Sequence, residues 1–195
     1  TISPDAVFIS HAHPDHAGGL EEGTQLPVYA SAVTHEITSG MPVARRIVLE
    51  PGARVAVGPL ALTAFPVVHS VRCPCIAARI ETPEGVVVYS GDIVAFEDPG
   101  AALAGAALYV GDGSTLERPI VRRHSSGVLF GHTTVRAQLG WLGKYGVPRA
   151  VFSHFGGGPI RMGDEALGEA LRRLAEKKAP GCDVIAAADG LRLTL

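Results

Sequence analysis

Six consecutive residues, His11-Ala-His13-Pro-Asp15-His16, carry three imidazoles and a carboxylate. Imidazole nitrogen and carboxylate oxygen are the donors that hold Zn²⁺, Fe or Mn²⁺. The stretch directly follows an apolar run, Ala6-Val-Phe-Ile9, that reads as a short buried strand. A strand that feeds a tight loop brings alternate residues together. His11 and His13 converge on one point, and Asp15 and His16 curl round a neighbouring one. The spacing predicts two adjacent cations. The competing reading, a histidine-rich surface loop, fits poorly with an apolar strand before the cluster and Gly18-Gly19 after it.

Three later polar residues also sit at strand ends. His69 follows the apolar stretch Leu60–Val68, Asp92 follows Val86–Ser90 in Tyr-Ser-Gly-Asp, and His154 follows Ala150–Ser153. Singly, each has an ordinary explanation: a hydrogen-bonded loop histidine, or an aspartate that forms a turn. Alongside the opening cluster they read as further ligands, each delivered by a strand into a loop.

This order, His-x-His-x-Asp-His, a distant His, an Asp after Ser-Gly, and a His after an apolar strand, resembles the metallo-β-lactamase superfamily of dinuclear metallohydrolases. The resemblance runs over nearly the whole chain. It implies His11, His13 and His69 on one metal, Asp15, His16 and His154 on the other, and Asp92 bridging both. It implies two divalent ions, Zn²⁺ first with Mn²⁺ or Fe open, which share a water and lower its pKa towards neutrality. Asp15 then counts among the catalytic groups as well as the ligands. The implied fold is α/β, an αβ/βα four-layer sandwich. Few residues precede the opening motif, so part of the N-terminal half is expected to be missing. A homodimer mate or a preceding segment is the expected partner for the resulting open edge.

Two further features resemble the phosphodiester-cleaving branch of that superfamily. They are Tyr109-Val-Gly-Asp112-Gly-Ser-Thr115 and Phe130-Gly-His132-Thr-Thr134. Similar carboxylate and histidine segments occur in the tRNA 3′-processing ribonuclease Z and in the cyclic phosphodiesterases related to phosphonate metabolism. By that resemblance His132 donates a proton to the phosphoryl group or stabilises its charge, while Asp112 orients the imidazole and raises its pKa. Ribonuclease Z has Glu where this chain has Asp112, so the cyclic-phosphodiesterase pattern is nearer. A helix-capping His132 and a turn-forming Asp112 are the plain alternative. Between them, Arg118, Arg122 and Arg123 lie in a predicted loop, as a phosphate clamp or as a solvated basic loop. No long Gly-Pro-rich arm of the kind used to grip tRNA is evident. The expected activity is a phosphodiesterase or nuclease on a nucleotide or nucleic-acid end. Hydrolysis of a lactone, thioester or other acyl bond is the alternative, and a non-catalytic scaffold or a redox flavoprotein partner stands further off.

The rest of the chain must position these groups. Its 195 residues suit one domain, 1–195, and its net charge of −2 argues against a strong non-specific polyanion binder. An odd set of three cysteines points to a reducing, cytoplasmic setting. No apolar run reaches the roughly 18–20 residues of a membrane helix. Cys73 and Cys75 lie two apart on an incipient strand and read as packing beside the site. Helices are expected from Ala17 onward behind the loop, over Ser31–Ser39, over Thr133–Tyr145 closed by Gly146, and over Asp164–Lys178 with Asp164 as N-cap. Ile47–Leu49, Arg54–Val57 and Leu60–Pro66 are expected as an antiparallel meander, Ile76–Glu81 with Gly85–Ser90 as a hairpin, and Asp183–Ala187 with Leu191–Leu195 as a closing hairpin.

Overall fold

The computed structural model describes residues 3–195. Its first sheet has three parallel strands in the order β1 (Val7–Phe8), β2 (Thr24–Ala30) and β3 (Val43–Val48). Side chains on β2 alternate between faces, as the two-residue period of a strand requires. Val28 and Ala30 pack with Ile9, Ala17 and Leu20, under the helix α1 (Pro14–Ala17) and the 3-10 turn Gly18–Glu22 that follows it. Tyr29 faces the other way, with Leu49, towards the second sheet.

The second sheet carries β4 (Arg54–Val57), β5 (Leu60–Val68), β6 (Cys75–Glu81), β7 (Val86–Tyr89), β8 (Ala95–Phe96), β9 (Leu108–Asp112), β12 (Arg149–Ser153) and β13 (Asp183–Ala186). Strands β4 to β7 run antiparallel in sequence order, and β7, β9, β12 and β13 then follow in parallel. On one face Leu62, Ala64, Ile76 and Ala78 meet Tyr29 and Leu49 of the first sheet. On the other, Val67, Cys75, Ala77 and Val88 meet a helical layer. That layer is α3 (Pro99–Leu103), α4 (Val135–Tyr145) and α6 (Asp164–Lys178), with the short α5 (Gly157–Ile160) leading into α6. Leu139, Leu142 and Leu171 are fully buried there, each contributing about 1.5–3 kcal/mol of transfer free energy. Helix, sheet, sheet, helix is the four-layer order expected.

Several expected local features form as read. Ser31 caps the helix α2 (Ala32–Ile37) by accepting the Thr34 N–H, and Gly146 ends α4 at φ +67°; at its other end α4 starts at Val135, with Thr134 as an unpredicted cap that accepts the Ala137 N–H. Others differ. The first helix begins at Pro14, because proline suits a first helical turn, so Asp15 and His16 ride on a helix rather than a loop. The strand expected at Ile47–Leu49 runs instead over Val43–Val48, outside the meander, and pairs parallel to β2 in the first sheet. Gly163, not Asp164, is the N-cap of α6; its φ of +77° suits glycine, and Asp164 takes the first helical position. The segment after β13 makes no hairpin: β13 pairs parallel with β12, and Leu191–Leu195 pairs with no strand among the described residues. The expected arginine loop is itself a hairpin, β10 (Ile120–Arg123) against β11 (Leu129–His132).

Candidate metal centre

Strand ends assemble the site. Asp92 lies three residues past β7, Asp112 is the last residue of β9, and His154 follows β12. The parallel register sets Ser153 beside Asp112 and Tyr89 beside Val110, so three adjacent strands deliver their groups to one edge. Ligand groups collect at the carboxyl ends of parallel strands for this reason. From the first sheet, Ile9 makes the last rung with Tyr29, and the Ser10 carbonyl accepts the Ile76 N–H. That contact ties the opening motif to β6 and buries His11 completely. Gly91 turns the chain into Asp92 at φ +59°, and a Cβ there would meet the Ser10 Cβ at 2.9 Å.

Two donor clusters result. His11, His13, His69 and Asp92 form one and Asp15, His16, Asp92 and His154 the other, with ligand atoms within 4.8 Å of one another in each. Asp92 belongs to both. Its Oδ2 lies 3.8 Å from His11 Nε2, 3.5 Å from His69 Nε2 and 3.2 Å from His16 Nε2, and its Oδ1 is 3.3 Å from His154 Nδ1. Asp15 Oδ2 lies 3.6 Å from His16 Nε2 and 3.4 Å from His154 Nε2. A third group, Asp92, Asp112, His132 and His154, overlaps the second.

The donor set fits divalent metal. His16 Nε2 is buried and has no hydrogen-bond partner among the described residues, although it faces a carboxylate oxygen at 3.2 Å. A buried polar atom without a partner is costly, and a bound cation would remove the cost. Outer contacts set the tautomers. The Gly131 carbonyl lies 2.9 Å from His69 Nδ1, which places the ring proton there and leaves Nε2 as a lone-pair donor. Ser10 Oγ sits 3.0 Å from His11 Nδ1 and fixes the orientation of that ring. Burial, and then the neighbouring His16 and His69 rings, push His11 down to about 3, so it stays neutral and able to ligate. Burial also lowers His69. Asp92 is held below the usual carboxylate range: burial opposes this, but the facing His16 ring outweighs it. His154 is held at φ +56°, a backbone region costly for a non-glycine residue. Ser114 steadies it, with its Oγ 3.0 Å from His154 Nδ1 and 3.3 Å from the His154 carbonyl.

Beside the clusters lies the pair the sequence singled out. His132 Nδ1 donates to Asp112 Oδ2 at 2.8 Å. Asp112 also accepts the Ile93 N–H on Oδ2 and the Ser114 N–H on Oδ1. Gln138, buried on α4, brackets the Asp112 backbone by accepting its N–H and donating to its carbonyl. Burial would lower His132, yet the Asp112 hydrogen bond and charge hold it above its ordinary value. Its Nε2 is left for the cavity of about 300 Å³ that His132 lines with His13, His69, Arg122 and Phe130.

Of the three arginines named as a clamp, the structure brings only Arg122 to this cavity. Strand alternation separates the others. Arg123 points to the opposite face of β10 and donates to the Gly127 carbonyl, and Arg118 is exposed ahead of the strand. Cys75 is buried with its Sγ 3.6 Å from His11 Nδ1, packed beside the site as expected, and Cys73 is half-buried. Sequence reasoning missed Ser10, Gly131, Gln138 and Ser114. Ser114 lies inside the quoted Gly-Asp-Gly-Ser segment and was open to notice. The carbonyl role of Gly131 leaves no signal in residue type.

Comparison with known proteins agrees with this geometry. The chain aligns at 38% identity over 101 residues, 45% of its length, with Ribonuclease J from Sinorhizobium meliloti; it spans only 17% of that relative's length. Among solved structures it is similar to the metallo-β-lactamase fold protein YhfI from Bacillus subtilis, at 21% identity and TM-score 0.73, over 96% of this chain and 76% of that one. It is similar to a diphosphatase from the PhnP family at 17% identity and TM-score 0.68, over 98% and 71% of the two chains. It is also similar to an isothiocyanate hydrolase from Delia radicum gut bacteria at 13% identity and TM-score 0.70, over 99% and 77%. The family model described as the beta-lactamase superfamily domain matches residues 2–155. With that match over most of the chain and its strand-end histidines and aspartates in place, the protein belongs to the beta-lactamase superfamily and has the fold of its metal-dependent hydrolases.

Proposed function

We propose that the protein is a dinuclear phosphodiesterase acting on a nucleotide or a nucleic-acid end. The observation that carries the reading is the His132–Asp112 pair at 2.8 Å, opening on the cavity that holds His13, His69 and Arg122. One divalent ion would be held by His11, His13, His69 and Asp92, and a second by Asp15, His16, Asp92 and His154. Two such ions, Zn²⁺ in our reading, would supply hydroxide at neutral pH and a positive field for the phosphoryl group. The chain does the rest. Asp112 holds the His132 proton on Nδ1 and stabilises the imidazolium, so Nε2–H can be given to the departing alcohol. Arg122, with no ion-pair partner among the described residues, is free to meet a phosphate oxygen. The 38% identity to a ribonuclease supports the same bond class. A reducing, cytoplasmic setting suits the three free cysteines. Among the described residues no helix is long and apolar enough to cross a membrane.

The test sets a chromogenic phosphodiester beside a chromogenic lactone, using protein whose metal content has been measured. Turnover of the phosphodiester alone or in clear excess is expected. Lactone hydrolysis without phosphodiester hydrolysis, with both metals bound, would replace this reading by the acyl-hydrolase one.

A further inference from the structure

Asp92 and Asp112 come from neighbouring strands but serve different groups. The chain must leave β7 to carry Asp92 to the metal centre, while β9 must run on to carry Asp112 to His132. The two part after Ser90, whose N–H bonds to the Val110 carbonyl, and Gly91 turns the chain away at φ +59°. In a continued parallel ladder the next bond would run from the Asp112 N–H to the Ser90 carbonyl. The Asp112 N–H donates instead to Gln138 Oε1 at 3.1 Å, and the Asp112 carbonyl accepts from Gln138 Nε2 at 2.7 Å. One side-chain amide from α4 stands in for the strand that has left.

That amide is itself held. Its Oε1 also accepts the Tyr109 O–H at 2.8 Å. Gly111 leaves it room, since a Cβ there would come within 2.8 Å of Gln138 Oε1. The backbone dictates which way the amide faces, because an N–H only donates and a carbonyl only accepts. The start of α4 is tied to both loops. The Thr133 N–H bonds to the Ile93 carbonyl, next to Asp92, and the Val135 and Arg136 N–H groups bond to the Thr115 and Leu116 carbonyls, beyond Asp112. Gln138 is fully buried, on a helix whose other buried residues are Val135, Leu139 and Leu142. Burying an amide costs free energy that an apolar side chain of the same size does not. What a fully bonded amide adds is a single geometry.

We propose that Gln138 is a positioning residue: by replacing the missing β7 rung it fixes where Asp112 stands, and through Asp112 it aims His132 at the metal centre. It does not line the cavity beside the metals, so it acts only through that pair. The inference rests on the phosphodiesterase reading above, in which His132 is the proton donor.

Two substitutions of similar size test it, because positioning and mere filling of space rank them in opposite orders. Gln138→Met fills the space and makes none of the amide's bonds. Gln138→Glu, kept neutral by burial, accepts with one oxygen and donates its O–H to the Asp112 carbonyl with the other. For positioning, Gln138→Glu should stay within about threefold of the unmodified protein, and Gln138→Met should lose about 10–100-fold in kcat on a dinucleotide. On bis(p-nitrophenyl) phosphate, whose leaving group needs no proton, the Gln138→Met loss should stay below about threefold, with metal content unchanged. In a His132→Ala background Gln138→Met should cost nothing further on the dinucleotide, since it acts through that ring. Leu139→Ala, which loosens α4 but removes no bond to Asp112, should show no such split between substrates. Spectra of Zn²⁺-loaded, ¹⁵N-histidine protein read the His132 tautomer without turnover, the signal being assigned by its loss in His132→Ala. The proton should sit on Nδ1 in the unmodified protein and in Gln138→Glu, and be shared with Nε2 in Gln138→Met. Should Gln138→Met fail to fold, Tyr109→Phe, which removes only the hydroxyl that steadies the amide, should show the same split at smaller size. An equal loss on both substrates, an additive loss in the His132→Ala background, or a Gln138→Met variant as active as the unmodified protein would overturn the inference. No cleavage of any phosphodiester would sink the phosphodiesterase reading, and an unchanged tautomer in Gln138→Met would then overturn the inference separately.

Discussion

Replacing His132 by Ala separates a proton donor from a metal ligand. The ring is tied by one short hydrogen bond to Asp112, whose remaining acceptor sites are filled by the backbone N–H groups of Ile93 and Ser114. Its removal therefore leaves the carboxylate partly satisfied and the strand end in place. Only a group that contributes in the transition state is lost. Positioned proton donors contribute about 10²–10⁴ in rate, equivalent to about 2.7–5.4 kcal/mol of barrier. The loss should depend on the leaving group. A nucleoside alkoxide needs the proton, so kcat should fall by about 10²–10⁴ with a dinucleotide. A p-nitrophenolate leaves without it, so the loss there should stay below about tenfold. The assay is kcat on both substrates, with metal content measured on the same samples. An equal loss on both substrates would refute proton donation. Loss of a metal would show that His132 ligates, as its membership of the third cluster with Asp92, Asp112 and His154 permits.

Asp92→Asn should lower metal content at both positions together, since Asp92 alone joins the two clusters; loss of one ion with full retention of the other, measured by elemental analysis, would contradict a bridging role. Gly131→Ala should destabilise the fold by more than about 2 kcal/mol and weaken metal binding. Its φ is +112°, a Cβ would overlap the Ile120 carbonyl oxygen, and its own carbonyl anchors His69. Denaturant midpoints and metal titration check this. Metal-free protein should be most stable near pH 6.5. His154, raised to about 9 chiefly by the Asp112 carboxylate 3.6 Å from its Nδ1, contributes stability that is fully present below 6.5 and lost as pH rises through 9. His11, lowered to about 3 by burial, refuses a proton that the unfolded chain accepts below 6.5. Stability should thus fall by about 2 kcal/mol between pH 6.5 and 5, and thermal melts across pH 5–9 in chelator should trace that maximum. Leu139→Ala, at a fully buried position on α4, should cost about 2–5 kcal/mol in the same melts without changing metal stoichiometry.

Much of the site is written in residue type. Histidine and aspartate at the ends of apolar runs name the donors, because few other residues bind such metals and strands end where apolar periodicity stops. The helices over 135–145 and 164–178 are legible for the same reason: their apolar spacing and capping residues are local properties. Pairing is not local. Ile47–Leu49 reads as a member of the meander, yet the strand there, Val43–Val48, joins β2, because burying Ile47 against the second sheet decides its partner. The arginine segment reads as a loop because Ile-Val-Arg-Arg carries too few apolar residues to announce a strand, and only its pairing with Leu129–His132 makes it one. That pairing selects Arg122 over Arg118 and Arg123, since alternate residues of a strand face opposite sides. The sequence by itself determined which groups can hold metal and move a proton. Only the tertiary structure decided that Asp92 belongs to both clusters, that the Gly131 carbonyl sets the His69 tautomer, and that Arg72 and His124 line one cavity. Each of those contacts joins segments far apart in the chain, and no local pattern records distance in space.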